Sequence, residues 1–397
     1  MKRQLLKSIR IQNFKAVRDT GKITLPPLTV FIGNNGSGKS SVIEALQTLE
    51  AIVQDGLEKA IAPWHGFENV WNKAVAHPVF APKKHRTPVE GKQRPHCIQP
   101  LSLRISGTVA GKYAGGVAAR MDVTADPGGN RIFILAEDVR LYRGPRIRRD
   151  AKGFIQYTPS PEQQRRQIRL EDGESVMKDF GVCGLGHWQF LTLVPQQMTD
   201  PVPQKRVSGE VRLASTGANV AQYMSWIRDA DQSAFAGILE ALQYVLPYAR
   251  DVQIQLTSEV ERAEFLQMTE ADFKIPGWMF STGTLRVLAL LALLRSPAPP
   301  PLIVVEEIEN GLDPRSVNLI LQEIRGAVES GRTQVIVTTH SPYLLDLLDL
   351  SHLVLCERVE GQPVFVRPQD RKGLRDWAKS FAPGQLYVMD RMHAEGR

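Results

Sequence analysis

Gly33-Asn34-Asn35-Gly36-Ser37-Gly38-Lys39-Ser40 is the stretch from which the fold can be read. Two glycines bracket four residues, and a lysine and a serine follow, which is the spacing of a phosphate-binding loop. Glycines let the backbone curl until its N–H groups face phosphate oxygens, and the positive end of a following helix adds to the field. In that pattern Lys39 faces the β and γ phosphates and Ser40 faces Mg²⁺. Leu28-Thr29-Val30-Phe31-Ile32 before the loop reads as a buried strand. After it, Val42, Ile43, Leu46 and Leu49 recur at helical spacing.

A second strand-like run, Leu302-Ile303-Val304-Val305, delivers Glu306 and Glu307 to its C-terminal end, the edge where open α/β sheets bind ligands. Glu306 suits a metal held through water, and Glu307 a general base polarising an attacking water. Many apolar strands end in acids, so the pair gains meaning only beside the loop. A third apolar strand, from Gln334 to Thr338, brings His340 to the same edge, although a lone histidine there is ordinarily a surface or core residue. At Ser281-Thr282-Gly283-Thr284-Leu285-Arg286 a small polar pair and a glycine open an apolar helix. That start fits an anion site or an ordinary serine cap. Ser296-Pro297-Ala298-Pro299-Pro300-Pro301 stops the helix. Alternating strands and helices here predict a parallel α/β core.

In the middle of the chain Leu101, Leu103 and Ile105, then Val117, Ala119, Met121 and Val123, alternate with polar or small residues and predict an antiparallel meander. Residues 60–97 read as loop or insertion, and 143–170 as an Arg-rich, weakly patterned stretch. From Asn219 to Leu246 the pattern is helical, broken near Asp229–Gln232 and closed by Pro247.

The 397 residues, 43% hydrophobic, fit one large domain or two lobes and exclude a disordered chain. No run approaches the roughly 18 apolar residues of a membrane helix, and the basic N-terminus lacks a signal core. A cytoplasmic protein without a membrane partner is expected. Cys97, Cys183 and Cys356 form no metal or redox motif and are expected as isolated thiols. The net charge is +7, yet residues 81–170 hold 18 Lys and Arg against 7 Asp and Glu. Arg143, Arg146, Arg148, Arg149 and Lys152, then Arg165, Arg166 and Arg169, are the densest part of it. They read as a solvated basic surface, a dock for an acidic protein, or a non-specific DNA contact through residues 143–169.

Phe280-Ser281-Thr282-Gly283-Thr284-Leu285-Arg286, Glu306-Glu307-Ile308-Glu309-Asn310-Gly311-Leu312-Asp313-Pro314 and Thr339-His340-Ser341-Pro342 together resemble bacterial ATPases related to the RecF, SMC and OLD proteins. The opening Ile11-Gln12-Asn13-Phe14-Lys15-Ala16 is similar to that group's first strand. The resemblance covers residues 5–50 and 185–360 well. It implies an α/β P-loop NTPase of the ABC-ATPase head type. The core would be split over residues 1–60 and 281–370. A β lobe with the basic insertion would occupy 61–194, a helical lobe 195–280 and a C-terminal tail 371–397.

The implied ligands are ATP and Mg²⁺. Gly33, Asn34, Asn35, Gly36, Ser37, Gly38, Lys39, Ser40 and Ser41 would surround the nucleotide. Ser40, Glu306 and Gln196 would serve the metal, with Gln189 and Gln197 as rivals to Gln196. Glu307 becomes the catalytic base, His340 the switch that senses the γ-phosphate, and residues 310–313 the D-loop. Ser281 and Gly283 become signature contacts made across a dimer.

The signature departs from the Leu-Ser-Gly-Gly-Gln of transporters, and the Walker B acid is Glu rather than Asp; both occur in this branch. About forty residues follow Cys356, too few for a Toprim nuclease, and no sustained heptads mark SMC coils. The resemblance thus implies an ATPase head that dimerises head-to-head, as a homodimer or higher homo-oligomer. Its effector, a nuclease or toxin, would be a separate protein in a DNA-linked process such as repair or anti-phage defence. The rival is a nucleotide-gated scaffold that controls a toxic or signalling partner without touching DNA.

Overall fold

The structure is a computed structural model that describes residues 4–74, 97–126, 131–158, 168–205 and 209–392. Most of the expected loop over 60–97, and Arg165 and Arg166 of the basic run, lie outside the described residues.

At the centre stands a sheet with six strands among the described residues. Its order is Gln189–Leu191, Leu302–Val305, Gln334–Thr339, Leu28–Ile32, Leu353–Val359 and Gln362–Val366. All pairings are parallel except the last. Sheets of this kind are covered on both faces, which is why the strands are continuously apolar. Successive residues feed opposite cores. Val30, Ile32, Ile303, Val305, Val335 and Val337 pack with the helices on one side. Phe31, Leu302, Val304 and Ile336 pack with the Lys39–Asp55 helix and the antiparallel sheet on the other.

That second sheet has nine strands among the described residues and is antiparallel throughout. Leu6–Phe14 lies inside it, with Leu101–Val109, Gly115–Ala125 and Ile132–Leu141 in succession beside it. The stretch read as weakly patterned is structured. Arg146–Arg149 and Phe154–Thr158 are its next two strands.

Helix Thr282–Arg295 is apolar on nearly every side and is correspondingly buried, from Thr284 through Leu294 apart from Arg286. Helices Val220–Ala230 and Gln232–Val245 pack with it, separated at Asp231, which caps the second by accepting from the Ser233 and Ala234 amides. The segment 195–280, expected as helical, also carries a hairpin, Ala249–Leu256 against Ala263–Glu270, extended by Phe273–Pro276. The segment set apart as a tail is anchored through residue 392. Leu374, Leu386 and Met392 are buried in the helical-side core.

Candidate nucleotide site

The parallel registers explain why the expected motifs meet. Ile32 is level with Thr339, and Val337 with Val305. The residues that follow these strands, Gly33, His340 and Glu306, therefore leave one edge of one sheet.

Gly33 has φ +149, and a Cβ there would lie 2.1 Å from the Cys356 carbonyl oxygen, so only glycine lets the loop pass the neighbouring strand. Gly38, at φ +105, caps helix Lys39–Asp55. Lys39 is buried, and its ammonium turns back to donate to the Gly33 and Asn34 carbonyls at 2.6 and 3.1 Å. Inside the loop the Ser37 hydroxyl is buried and has no hydrogen-bond partner among the described residues. Asn34, Asn35 and Gly36 are exposed, and Ser41 is half-buried in the first helical turn.

Ser40 Oγ donates to Glu306 Oε2 at 3.0 Å, joining the loop to the acidic strand. Burial raises the Glu306 carboxyl above its ordinary range against the Ser40 bond; Glu44 and Glu307 add to the rise and Lys15 opposes it. Lys15 and Glu44, neither singled out in the sequence, pair at 2.7 Å. The Lys15 ammonium also lies 3.6 Å from the centre of the Trp64 ring. The test for a cation is whether hard oxygen donors converge, and Ser40 and Glu306 supply two. No group of three or more His, Cys, Asp or Glu gathers for a metal among the described residues. This pair thus fits Mg²⁺, an ion that takes much of its shell from phosphate and water.

Glu307 is exposed and holds φ +48, a conformation uncommon for a residue with a Cβ and concentrated at functional sites. Its amide donates to Thr338 Oγ1 at 2.9 Å, which fixes the turn from the adjacent strand. Next to it, Glu309 Oε1 accepts from Thr339 Oγ1 at 2.8 Å and from the His340 amide at 3.0 Å, with His340 Nδ1 at 3.6 Å. Glu309 is the orienting partner that the sequence concealed, since it reads there as one more acid in a turn. The His340 ring is 55% exposed and free to face a ligand.

Three expected residues, Ser281, Gly283 and Gln196, make no hydrogen bond to the loop among the described residues. Ser281 is exposed, and its hydroxyl caps its own helix, accepting from the Thr284 amide at 3.1 Å. Gly283 is needed for close packing, since a Cβ there would lie 2.9 Å from the Gly311 carbonyl oxygen of the expected D-loop. Gln196 is exposed on the turn Pro195–Gln197, beyond the edge strand Gln189–Leu191. Its carbonyl accepts from Thr199, and its side chain makes no hydrogen bond among the described residues. Gln189 is buried in that strand. All three cysteines are free and buried. From the far end of the chain, the Tyr387 hydroxyl lies 3.2 Å from Asn34 Oδ1.

The basic run is not all surface. Arg149 is 2% exposed and points inward. It donates to the Ile134, Glu171 and Asp172 carbonyls and lies 3.8 Å from the buried Glu137. Arg146 is tied to Asp138 through two hydrogen bonds. Neither is a free surface charge.

Residues 5–59 match the family described as "AAA ATPase domain", and residues 218–346 the one described as "AAA domain, putative AbiEii toxin, Type IV TA system". In the solved structure of an SmcHead bound to the C-winged helix domain of ScpA, 97% of that chain aligns with 91% of this one, at a TM-score of 0.55 and 14% identity. The Smc head of Pyrococcus furiosus bound to the C-terminal domain of ScpA aligns over 95% of this chain and all of its own, at 0.54 and 12%.

Two stretches of the chain thus match AAA ATPase domains, and its fold is that of the SMC heads.

Among curated proteins, the chain is 25% identical over 173 residues to Pleiotropic drug resistance protein 1 of Petunia axillaris, a match covering 42% of this chain and 12% of that protein. It is 22% identical over 290 residues to ABC transporter G family member 42 of Oryza sativa subsp. japonica, covering 66% and 19%. The chain thus spans less than a fifth of the length of these relatives. No helix among its described residues is long and apolar enough to cross a membrane.

Proposed function

We propose that the chain binds ATP at residues 33–41 and closes head-to-head on a second copy, and that Glu307 then acts as general base for hydrolysis. The observation that carries this reading is the Ser40–Glu306 hydrogen bond at the edge that also presents Lys39, Glu307 and His340. Mg²⁺ held by Ser40 and Glu306 would neutralise charge on the β and γ phosphates. Lys39 stabilises the same phosphates from the loop, and His340, oriented by Glu309, senses the γ-phosphate. Gln196 is assigned to the cation's outer shell from the turn after the flanking strand. Ser281 is exposed at the start of another helix with Gly283 half-buried beside it, and the two would complete a second molecule's site. The setting is cytoplasmic, and the cycle drives or senses a DNA-linked process, repair or anti-phage defence, through a separate effector.

The test is Glu307→Gln, which keeps shape and deletes the base. Turnover should stop while ATP still binds, and light scattering should show a species of twice the mass with ATP and not with ADP. Parental turnover in this variant would reject Glu307 as the base.

One observation favours the rival, a nucleotide-gated scaffold for a toxic or signalling protein. Trp377, Val388 and Met389 are exposed on the C-terminal segment whose Tyr387 touches the loop. Turnover stimulated by DNA favours the first reading; stimulation only by a protein partner favours the second.

A further inference from the structure

Helix Pro383–Val388 joins the phosphate loop to the turn that carries His340. That turn runs straight into helix Pro342–Asp346. The Ser341 amide donates to Thr339 Oγ1 at 3.0 Å, and the Ser341 hydroxyl caps the helix by accepting from the Leu344 amide. Helix Pro383–Val388 packs directly on this short helix. A Cβ on the buried Gly384 would lie 2.1 Å from the Pro342 carbonyl oxygen, and the Gly384 amide donates to Asp346 Oδ1 at 2.7 Å. Leu386 and Met392 root the segment in the core, and Arg371 ties its end by donating to the Met392 carbonyl at 3.0 Å. One residue after Leu386, the Tyr387 hydroxyl donates to Asn34 Oδ1 at 3.2 Å. Burial raises this phenol above its usual range, so it stays protonated and keeps its O–H. Asn34 in turn shapes the loop, since its carbonyl accepts from the Ser37 amide and the Lys39 ammonium, both at 3.1 Å.

We propose that Tyr387 is a positioning residue that sets the separation between the phosphate loop and the His340 turn. Gly384 and Tyr387 are three residues apart, so both leave one face of the helix, the first holding the turn and the second the loop. Desolvation does not force the bond, because Tyr387 is half-buried and Asn34 exposed, and water could serve both. The bond's effect is to fix two separate chain segments at one distance. That role rests on the proposed nucleotide cycle, in which Lys39 and His340 both read the terminal phosphate of ATP. A diphosphate lacks that group and engages the loop alone. A preset separation lowers the ordering cost of binding only for the ligand that needs both segments. Tyr387 therefore favours the triphosphate over the diphosphate without touching either.

The experiment titrates the parent, Tyr387→Phe, Asn34→Ala and the double variant by calorimetry. The ligands are the Mg²⁺ forms of ADP and of an ATP analogue with a non-hydrolysable β–γ imido bridge. Tyr387→Phe keeps the ring and removes only the hydroxyl. It should weaken the analogue about fivefold, the worth of one hydrogen bond, and leave ADP within about twofold of the parent. Added to Asn34→Ala, the same substitution should cost nothing further, because the acceptor is already gone. Parental binding of the analogue by Tyr387→Phe would overturn the positioning role alone. Equal weakening of analogue and ADP, with a lower melting temperature, would make the hydroxyl structural. Additive losses in the double variant would overturn the route through Asn34. A parent that binds neither ligand overturns the positioning role and the nucleotide reading together.

Discussion

Ser40 and Glu306 are 266 residues apart in the chain and 3.0 Å apart in space. The bond pairs the first residue after the loop lysine with the first acid after Leu302–Val305, two places along the sheet from the strand that feeds the loop. Glu306→Ala leaves the serine as the remaining donor of that pair. The Mg²⁺ titration of turnover should move upward by about 10–100-fold, a cost typical of weakening a metal's protein shell. An unchanged titration would take Glu306 out of the metal site.

Ser281 serves a second molecule's nucleotide in the proposed dimer, so the two damaged chains should complement each other. Ser281→Arg and Lys39→Ala are each expected to be inactive in turnover, while Ser281→Arg alone still binds ATP. Mixed in equal amounts, half the dimers are hybrids with one intact site, and about a quarter of the parental activity should return. Turnover indifferent to mixing and to concentration would rule out a composite site.

Arg149 and Arg148 are neighbours in sequence with opposite fates. Arg149→Glu would place a second acid beside buried Glu137 and strand three carbonyls, at a cost of about 3–5 kcal/mol. Arg148→Glu, on the exposed face, should shift stability by about 0.5 kcal/mol or less. Urea unfolding of the two variants decides it, and a parental midpoint for Arg149→Glu would refute the inward placement.

Glu50 joins the phosphate-loop helix to the approach of the edge strand, accepting from the Gly186 and Trp188 amides at 2.9 Å each. Burial raises its carboxyl from 4.5 to about 7. The folded chain therefore keeps a proton that the unfolded chain has released. The resulting stability is full below the unfolded value and is lost as pH rises through about 7, a change of about 3 kcal/mol. Glu137, raised by burial to about 6, adds to the decline. Urea midpoints should fall from mildly acid to neutral pH, and Glu50→Gln should flatten much of that fall. An equally steep profile in the variant would assign the titration elsewhere.

The residues legible from sequence are those whose chemistry leaves no substitute. A loop that must curl around phosphate needs Gly33 and Gly38 where they stand, and five consecutive buried residues leave Leu28–Ile32 little choice but a central strand. Glu309 was hidden because its role depends on Thr339 and His340, which arrive from another strand. The hairpin from Ala249 to Glu270 was hidden because its strands are mixed in burial, without the clean alternation of a half-buried sheet. Arg149 was misread because a charge count cannot tell a surface guanidinium from one clasped by the carbonyls of residues 134, 171 and 172. In the C-terminal segment, short helices hid three core residues behind a polar composition.

Alternate residues of Leu28–Ile32, Leu302–Val305 and Gln334–Thr339 are rooted in two separate hydrophobic masses. The reactive edge therefore stands like a bridge deck on two piers. A methyl group lost beneath either pier shifts the spacing of Lys39, Glu306 and His340 without touching any of them. Inheritance of this site thus means joint inheritance of both cores, and a change tolerated in one narrows what the other can accept.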